Sequence, residues 1–157
     1  MRKILFRAKR LDNGEWVVGY VMIHDYNKAT IFRQNQVDGS LEGFEVDPET
    51  VCQYTGMIDS NGNKIWEYDL IKFEDTGEDG YEYKEGYEFI NIAMVCFSDG
   101  RWELDNFAED EGSMKETMED GYHSEFIGVF RSSEVIGNIF DNPELLKGGV
   151  TDVKEPR

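Results

Sequence analysis

The sequence predicts a mainly β protein, in which short antiparallel strands form a small barrel or a rolled sheet and one short helix lies near the C-terminus. Three observations predict this fold. Apolar residues occur in short, strand-like segments separated by polar turns. Two dipeptides that favour tight hairpin turns, Asn61-Gly62 and Asp99-Gly100, lie between such segments. Helix-favouring composition is confined to one internal stretch, 108–120, and is weak there.

The N-terminal part predicts short strands joined by polar turns. Residues 4–10 alternate apolar and basic side chains, as in a half-exposed strand. Residues 16–23 are almost wholly apolar, so we expect burial on both faces or at a subunit contact, with Gly19 allowing close backbone approach. Shorter strands are expected at 29–32 and 44–46.

The stretch 46–73 is the part around which the predicted sheet is organised. A proline turn at Pro48, a strand, the Asn61-Gly62 turn and a partner strand at 65–73 follow one another directly. This order predicts a hairpin at the centre of the chain.

The C-terminal part predicts a second hairpin, from 89–97 and 101–104 around the Asp-Gly turn. Further strands are expected at 126–130 and 135–140. An Asp-Asn pair before Pro143 favours the start of a short helix. We expect one domain over residues 1–147 and, because glycine lies among many acids, an acidic loop at 74–88. The apolar-poor residues 148–157 predict a flexible tail.

Charge excludes some functions. The 157 residues carry 16 basic and 33 acidic side chains, a net charge of -17, and residues 72–125 alone contribute -13 from 4 basic and 17 acidic residues. Such a field repels phosphate backbones and argues against nucleic-acid binding through a broad basic surface. No apolar run has the length of a membrane span, so we expect a cytoplasmic protein without membrane contact. Cys52 and Cys96 lack metal-site spacing and are expected to be buried free thiols.

The sequence contains no pattern typical of catalysis, metal binding or cofactor binding. Asp75 begins a run that resembles a calcium loop but lacks the ligand at position twelve, and no glycine-rich phosphate loop is present. Glu67 and Asp69 stand two apart on a predicted strand, so they would share one face and could bind a cation or act as acid and base. A solvated polar face explains the same spacing more simply. We therefore expect a protein that is not an enzyme and has no metal and no cofactor.

Five segments carry a family resemblance, and they cover most of the chain: ILFRA at 4–8, WVVGY at 16–20, VDPETVCQYTG at 46–56, DSNGNKIWEYDLI at 59–71 and EVIGNIFDNPELL at 134–146. In these segments the chain resembles the YopX-like family of bacteriophage and prophage proteins. The resemblance implies a phage or prophage origin, no established activity, and a small SH3-like barrel or rolled antiparallel sheet with an N-terminal β extension. Tyr68 replaces a glycine of the family pattern, which argues against a left-handed backbone there.

The preferred interpretation is a non-enzymatic accessory protein that forms a homo-oligomer and binds an unknown host or phage protein through strand edges or exposed aromatic surface. One alternative is binding of single-stranded nucleic acid by stacking on the barrel, helped by the basic N-terminus. The other is an acidic mimic of DNA that inhibits a host protein. The residues proposed for binding are Tyr20, Tyr54, Trp66, Glu67 and Asp69.

Overall fold

The structure is a computed structural model, and it describes residues 1, 3–76, 88–109, 112–119 and 126–146. The chain divides into two compact units, Met1–Gly56 and Met57–Arg157, named here the first unit and the second unit. This division lies within the stretch that the sequence predicts to be one domain. The mainly β class is confirmed, because strands dominate both units.

The first unit is an antiparallel sheet with the strand order β4-β3-β2-β1-β5. A 3-10 helix, Pro48–Thr50, separates β4 from β5, and the Asp47 carboxylate accepts a hydrogen bond from Glu49 N at 3.0 Å, as the proline turn predicts. The strands are β1 (Phe6–Lys9), β2 (Trp16–Asp25), β3 (Lys28–Gln34), β4 (Leu41–Val46) and β5 (Cys52–Ile58), whose last two residues belong to the second unit.

The first sheet is rolled. A bridge joins Arg10, just after β1, to Val46 at the end of β4, and Leu11 N donates to Glu45 O at 3.0 Å. β1 and β4 are separated by two strands in the sheet order, so these contacts require the sheet to curl back on itself. Five small and branched side chains fill the concave side. They are Ala8, Val17, Ala29, Ile31 and Val46. The rolled antiparallel sheet is therefore confirmed, and no closed barrel is found in the described part of the chain.

The second unit contains a four-stranded antiparallel sheet with the order β10-β7-β8-β9 and two seven-residue helices. β6, which is adjacent to β5 in the strand order, precedes this sheet. The elements are β6 (Lys64–Trp66), β7 (Asp69–Thr76), β8 (Glu88–Ser98), β9 (Arg101–Asp105), α1 (Ser113–Glu119), α2 (Phe126–Ser132), β10 (Glu134–Asn138) and a 3-10 helix, Pro143–Leu146.

β7 and β8 are the most buried strands, and both of their faces are covered. Ile71, Phe73, Ala93 and Val95 form one cluster with residues of α1, α2 and β9. Leu70, Ile92 and Met94 form the other with the C-terminal segment. A central strand covered on both faces has an almost continuous apolar sequence, which explains the composition of these two segments.

Both predicted hairpin turns are confirmed. Asp99 and Gly100 have φ of 49° and 82°, the left-handed pair that a two-residue turn between β8 and β9 needs. Gly62 has φ of 83° in the turn between β5 and β6. The short C-terminal helix is present in the 3-10 form from Pro143. Turn chemistry thus predicted the positions at which the chain reverses.

Two expectations about secondary structure are wrong. Residues 126–130 form the start of α2 and not a strand, because Phe130, 1% exposed, packs into the core cluster of the second unit and tertiary contacts override β propensity. The predicted strand 65–73 is broken at residues 67–68 into β6 and β7. The stretch 108–120, where helix-favouring composition is weak, does contain a helix, α1.

The apolar stretch of β2 is buried on one face only, so the expected burial on both faces is wrong, and burial at a subunit contact stays a prediction. Val17 is 2% exposed, whereas Tyr20 is 64% exposed, because β1 and β3 flank β2 in the sheet and apolar packing covers only its concave side. The close approach at Gly19 is confirmed, since an added Cβ would lie 2.1 Å from Phe32 O.

Two predictions fall partly or wholly outside the described residues. The acidic loop predicted at 74–88 overlaps β7 up to Thr76 and β8 from Glu88, and residues 77–87 lie outside the described part. The predicted tail, 148–157, also lies outside it. Among the described residues, no helix has the length and hydropathy that crossing a membrane requires.

Candidate functional site

The convex side of the first sheet exposes apolar side chains. Alternation along β2 turns Val17 and Gly19 inward and Val18, Tyr20 and Met22 outward. The outward three are 39%, 64% and 50% exposed. A strand in the middle of a sheet thus presents an uncovered apolar row.

β3 and β4 extend this row. Phe32 lies opposite Tyr20 on one side and Gly43 on the other, so all three are on the same face. An added Cβ at Gly43 would lie 2.9 Å from Phe32 Cε1, so the Phe32 ring occupies the space that a side chain there would take. Leu41, 71% exposed, completes the row on β4. We name Val18, Tyr20, Met22, Phe32 and Leu41 the outer face.

Basic side chains border the outer face at β1. The guanidinium carbon of Arg7 lies 4.6 Å from the centre of the Trp16 ring, and Lys9 Nζ lies 5.6 Å from it. Such cation–π contacts each stabilise by about 0.5–1 kcal/mol at exposed sites. Because Trp16 already contacts two cations, Tyr20 is the more accessible aromatic ring of β2.

The other two aromatic candidates are less exposed than Tyr20. Tyr54 on β5 is half-buried, and its backbone N donates to Leu5 O at 2.9 Å. Trp66 at the end of β6 is 6% exposed. A base cannot stack on a ring that is covered by protein, so the structure argues against Trp66 as a stacking residue.

Glu67 and Asp69 do not share the face of one strand, because β6 ends at Trp66 and β7 begins at Asp69. Asp69 is 1% exposed, and its Oδ2 accepts a hydrogen bond from Trp66 N at 2.8 Å. A carboxylate that closes a turn in this way is withdrawn from solvent. The expected pairing of the two carboxylates on one strand face is therefore wrong.

Tyr68, between these two acids, has a left-handed backbone with φ of 64°, contrary to the expectation from the sequence. Its N donates to Val95 O at 2.7 Å, its O accepts from Ile139 N at 3.1 Å, and its ring meets Phe140 edge-on at 5.9 Å. Left-handed backbone costs a non-glycine residue about 1–2 kcal/mol. The two backbone hydrogen bonds and the ring contact offset that cost, so the chain keeps the conformation without glycine.

Asp59 holds the turn that precedes β6. One carboxylate oxygen accepts from Asn61 N at 2.9 Å and Asn63 N at 2.8 Å, and the other accepts from Val135 N at 3.0 Å. Burial raises the pKa of Asp59, but these donors outweigh burial and hold the pKa below its usual value. All its observed partners are backbone or amide groups, which makes it a structural carboxylate.

A buried network that the sequence analysis missed lies on β7 and β8. Asp75 is 3% exposed, and it accepts from Asn91 Nδ2 at 3.0 Å, Ser113 Oγ at 3.2 Å and Met114 N at 3.1 Å. Asn91, fully buried, also accepts from Glu109 N at 3.1 Å. The network therefore fastens the start of α1 and the segment before it to the sheet. The sequence did contain a signal for the burial of Asp75. In a strand every second side chain points to the same face, so Asp75 lies on the same inward face as Ile71 and Phe73.

The sequence profile of the YopX protein family matches residues 5–147. The chain belongs to the YopX family. It is also similar to the crystal structure of protein EF1440 from Enterococcus faecalis, with 19% sequence identity, a TM-score of 0.47, and coverage of 94% of this chain and 100% of that one. No curated protein matches the chain.

Neither cysteine of this YopX-family chain is in a disulfide. Cys52 and Cys96 are free, and Cys52 Sγ donates to Thr50 O at 3.2 Å. The pKa of Cys96 is raised to about 11, mainly by burial and to a smaller extent by the nearby carboxylates of Asp105, Glu103 and Glu67. The nucleophilic thiolate of Cys96 is therefore scarce at neutral pH. No group of three or more His, Cys, Asp or Glu residues suited to a metal ion occurs in the described ranges.

Proposed function

We propose that the protein is a binding module that acts without catalysis and associates with a second copy of itself through its first unit. The observation that carries the proposal is the distribution of exposed apolar residues. Of the twelve large apolar side chains that are exposed in the described residues, ten belong to the first unit, and only Ile58 and Phe97 belong to the second. Among them, the residues of the outer face lie on neighbouring strands, and apolar surface of this kind is typical of interaction sites.

Charge supports a second copy as the partner. The first unit carries seven basic and eight acidic residues, a net charge of -1, whereas the second unit carries nine and 25, a net charge of -16. Two copies that meet through their first units bring together surfaces of nearly balanced charge. Contact through the second units would bring two strongly acidic bodies together and would be opposed by repulsion.

Light scattering over a wide range of protein concentrations tests this function. We expect masses above the monomer value of 18.2 kDa, and a double variant Tyr20→Ser with Leu41→Ser to lower them. Tyr26→Ser is the matched control, because Tyr26 is fully exposed in the turn between β2 and β3 and lies outside the outer face. A monomer at every concentration would contradict self-association, and an unchanged double variant would contradict the outer face as its surface.

Other expectations from the sequence stay predictions. A host or phage protein as a further partner, a cytoplasmic location in a phage host, and inhibition by DNA mimicry each need their own test. Binding of single-stranded nucleic acid stays the alternative, with Tyr20 as the exposed aromatic residue of the outer face. Titration of a labelled oligonucleotide at low salt tests it, and loss of binding in Tyr20→Ser but not in Tyr26→Ser would support it.

A further inference from the structure

The outer edge of β4 has backbone groups available for another strand. Asn35 N donates to Ser40 O at 2.7 Å, so Ser40 belongs to a hydrogen-bonded pair with the β3 side. Such pairs recur at every second residue of an antiparallel ladder. Glu42 and Phe44 therefore direct their backbone groups toward β3. Leu41, Gly43 and Glu45 direct theirs away from it. Glu45 O is already used by Leu11 N. In the described part of the chain, the outward groups of Leu41 and Gly43 have no backbone partner.

The same short edge carries a protruding side chain next to a residue that has none. Leu41 is 71% exposed, and Gly43, two residues along on the same face, has no side chain. The Phe32 ring covers Gly43, because its Cε1 lies 2.9 Å from the position of an added Cβ. A strand that pairs with this edge can therefore place an apolar side chain over Gly43 and against Phe32.

We propose that the occupant of this edge is β4 of a second copy, paired antiparallel about a two-fold axis at Glu42. This inference rests on the proposed self-association and names its surface. Leu41 of each copy then lies opposite Gly43 of the other, so each protruding side chain packs against the Phe32 ring that covers this glycine. Four backbone hydrogen bonds form. The register with Gly43 on the axis would place Leu41 opposite Glu45, whose carbonyl group is occupied.

The charges near the axis fit this arrangement. Two Glu42 side chains would lie opposite each other, but each is already paired with a cation of its own copy, because Arg33 Nε lies 3.4 Å from Glu42 Oε2. Asn35 Nδ2 donates to the other oxygen of the same carboxylate. The order of charges across the axis is thus positive, negative, negative, positive. The residual repulsion between the two carboxylates is a signature of this register.

Disulfide trapping tests the register. Residues opposite each other in a non-hydrogen-bonded pair have Cα atoms about 4.5 Å apart, which is within the range of a disulfide. We expect Glu42→Cys to form a covalent dimer under mild oxidation, whereas Glu45→Cys, exposed on the same strand, does not. Tyr20→Cys reports contact through the centre of the outer face. The native chain controls for Cys52 and Cys96.

A second variant keeps the inference testable if Glu42→Cys fails to fold. Glu42→Gln removes the repulsion at the axis and should tighten the dimer about 2- to 5-fold in sedimentation or light scattering. A covalent dimer of Glu42→Cys, or a higher dimer affinity of Glu42→Gln, supports pairing through the β4 edge. A different outcome would overturn this register but leave self-association intact. In that outcome, Tyr20→Cys traps a covalent oligomer, Glu42→Cys does not, and Glu42→Gln leaves the dimer affinity unchanged. A native chain that is always monomeric would overturn both.

Discussion

The two units distribute polar and apolar residues in opposite ways. The first unit places ten large apolar side chains on its surface, and its described buried polar residues are two threonines, Thr50 and Thr55. The second unit exposes two large apolar side chains among its described residues and buries six polar ones. Those six are Asp59, Asp69, Asp75, Asn91, Ser133 and Asn138.

The difference indicates a division of roles. Buried carboxylates and amides are stable only when donors surround them, so they restrict the segments that supply those donors to one arrangement. Asp59, Asp69 and Asp75 each do this for a turn or a helix start. Exposed apolar side chains stabilise nothing until a partner covers them. In the second unit, internal polar contacts therefore fix turns and a helix start around the apolar core, while the first unit has surface available for association.

The largest expected effect is the loss of Asp75. Asp75→Ala removes the carboxylate that accepts from Asn91, Ser113 and Met114, and we expect the free energy of unfolding to fall by about 3 kcal/mol or more. Urea unfolding measures it. Glu116→Ala, an exposed acid on α1, is the control and should change stability by no more than about 0.5 kcal/mol. Equal effects would show that the buried network is not what stabilises the second unit.

Asp59 should make stability depend on pH. Its folded pKa lies below the unfolded value of about 3.9, so its contribution is present above that pH and is lost as the pH falls through the folded pKa. Asp59→Asn should cost about 1–3 kcal/mol at neutral pH, and less below about pH 4. Unfolding curves at several pH values measure this convergence. Glu49→Gln, exposed in the first unit, is the control, and a constant difference between Asp59→Asn and native protein would contradict the prediction.

Tyr68 allows backbone strain to be separated from side-chain packing. Tyr68→Ala removes the contact with Phe140 and keeps the left-handed strain, whereas Tyr68→Gly removes both. We expect the glycine variant to be more stable than the alanine variant by about 1 kcal/mol. Thermal unfolding of the two variants measures the difference. An alanine variant that equals or exceeds the glycine variant would show that position 68 carries no strain.

The smallest effect is expected on the outer face. Tyr20→Ser should change the free energy of unfolding at low protein concentration by no more than about 0.5 kcal/mol, because its side chain is mostly in water already. Urea unfolding alongside Tyr26→Ser measures it. A loss of several kcal/mol specific to Tyr20 would mean that the outer face is part of the folded core, and the contrast between the two units would fail.

Local sequence was sufficient to predict some structural elements and insufficient to predict others. The Asn-Gly and Asp-Gly turns and the proline at 48 act through their own backbone preferences, so they could be located without coordinates. Phe126–Ser132 has strand-like composition, and its helix depends on burial of Phe130 among distant residues. The site residues divide in the same way: the exposure of Tyr20 and the burial of Trp66 both depend on what the rest of the chain covers.

By itself, the sequence determined the β class, the main turns and the excess of acid, because each depends on neighbouring residues or on composition alone. Only the tertiary structure decided that Tyr68 would adopt a left-handed backbone, that Asp75 and Asn91 would form a buried pair, and that one face of β2 would stay uncovered. Each of these depends on contacts between segments far apart in the chain. Their free energies are set by which donors, acceptors and apolar surfaces the fold brings together, and no local pattern records that.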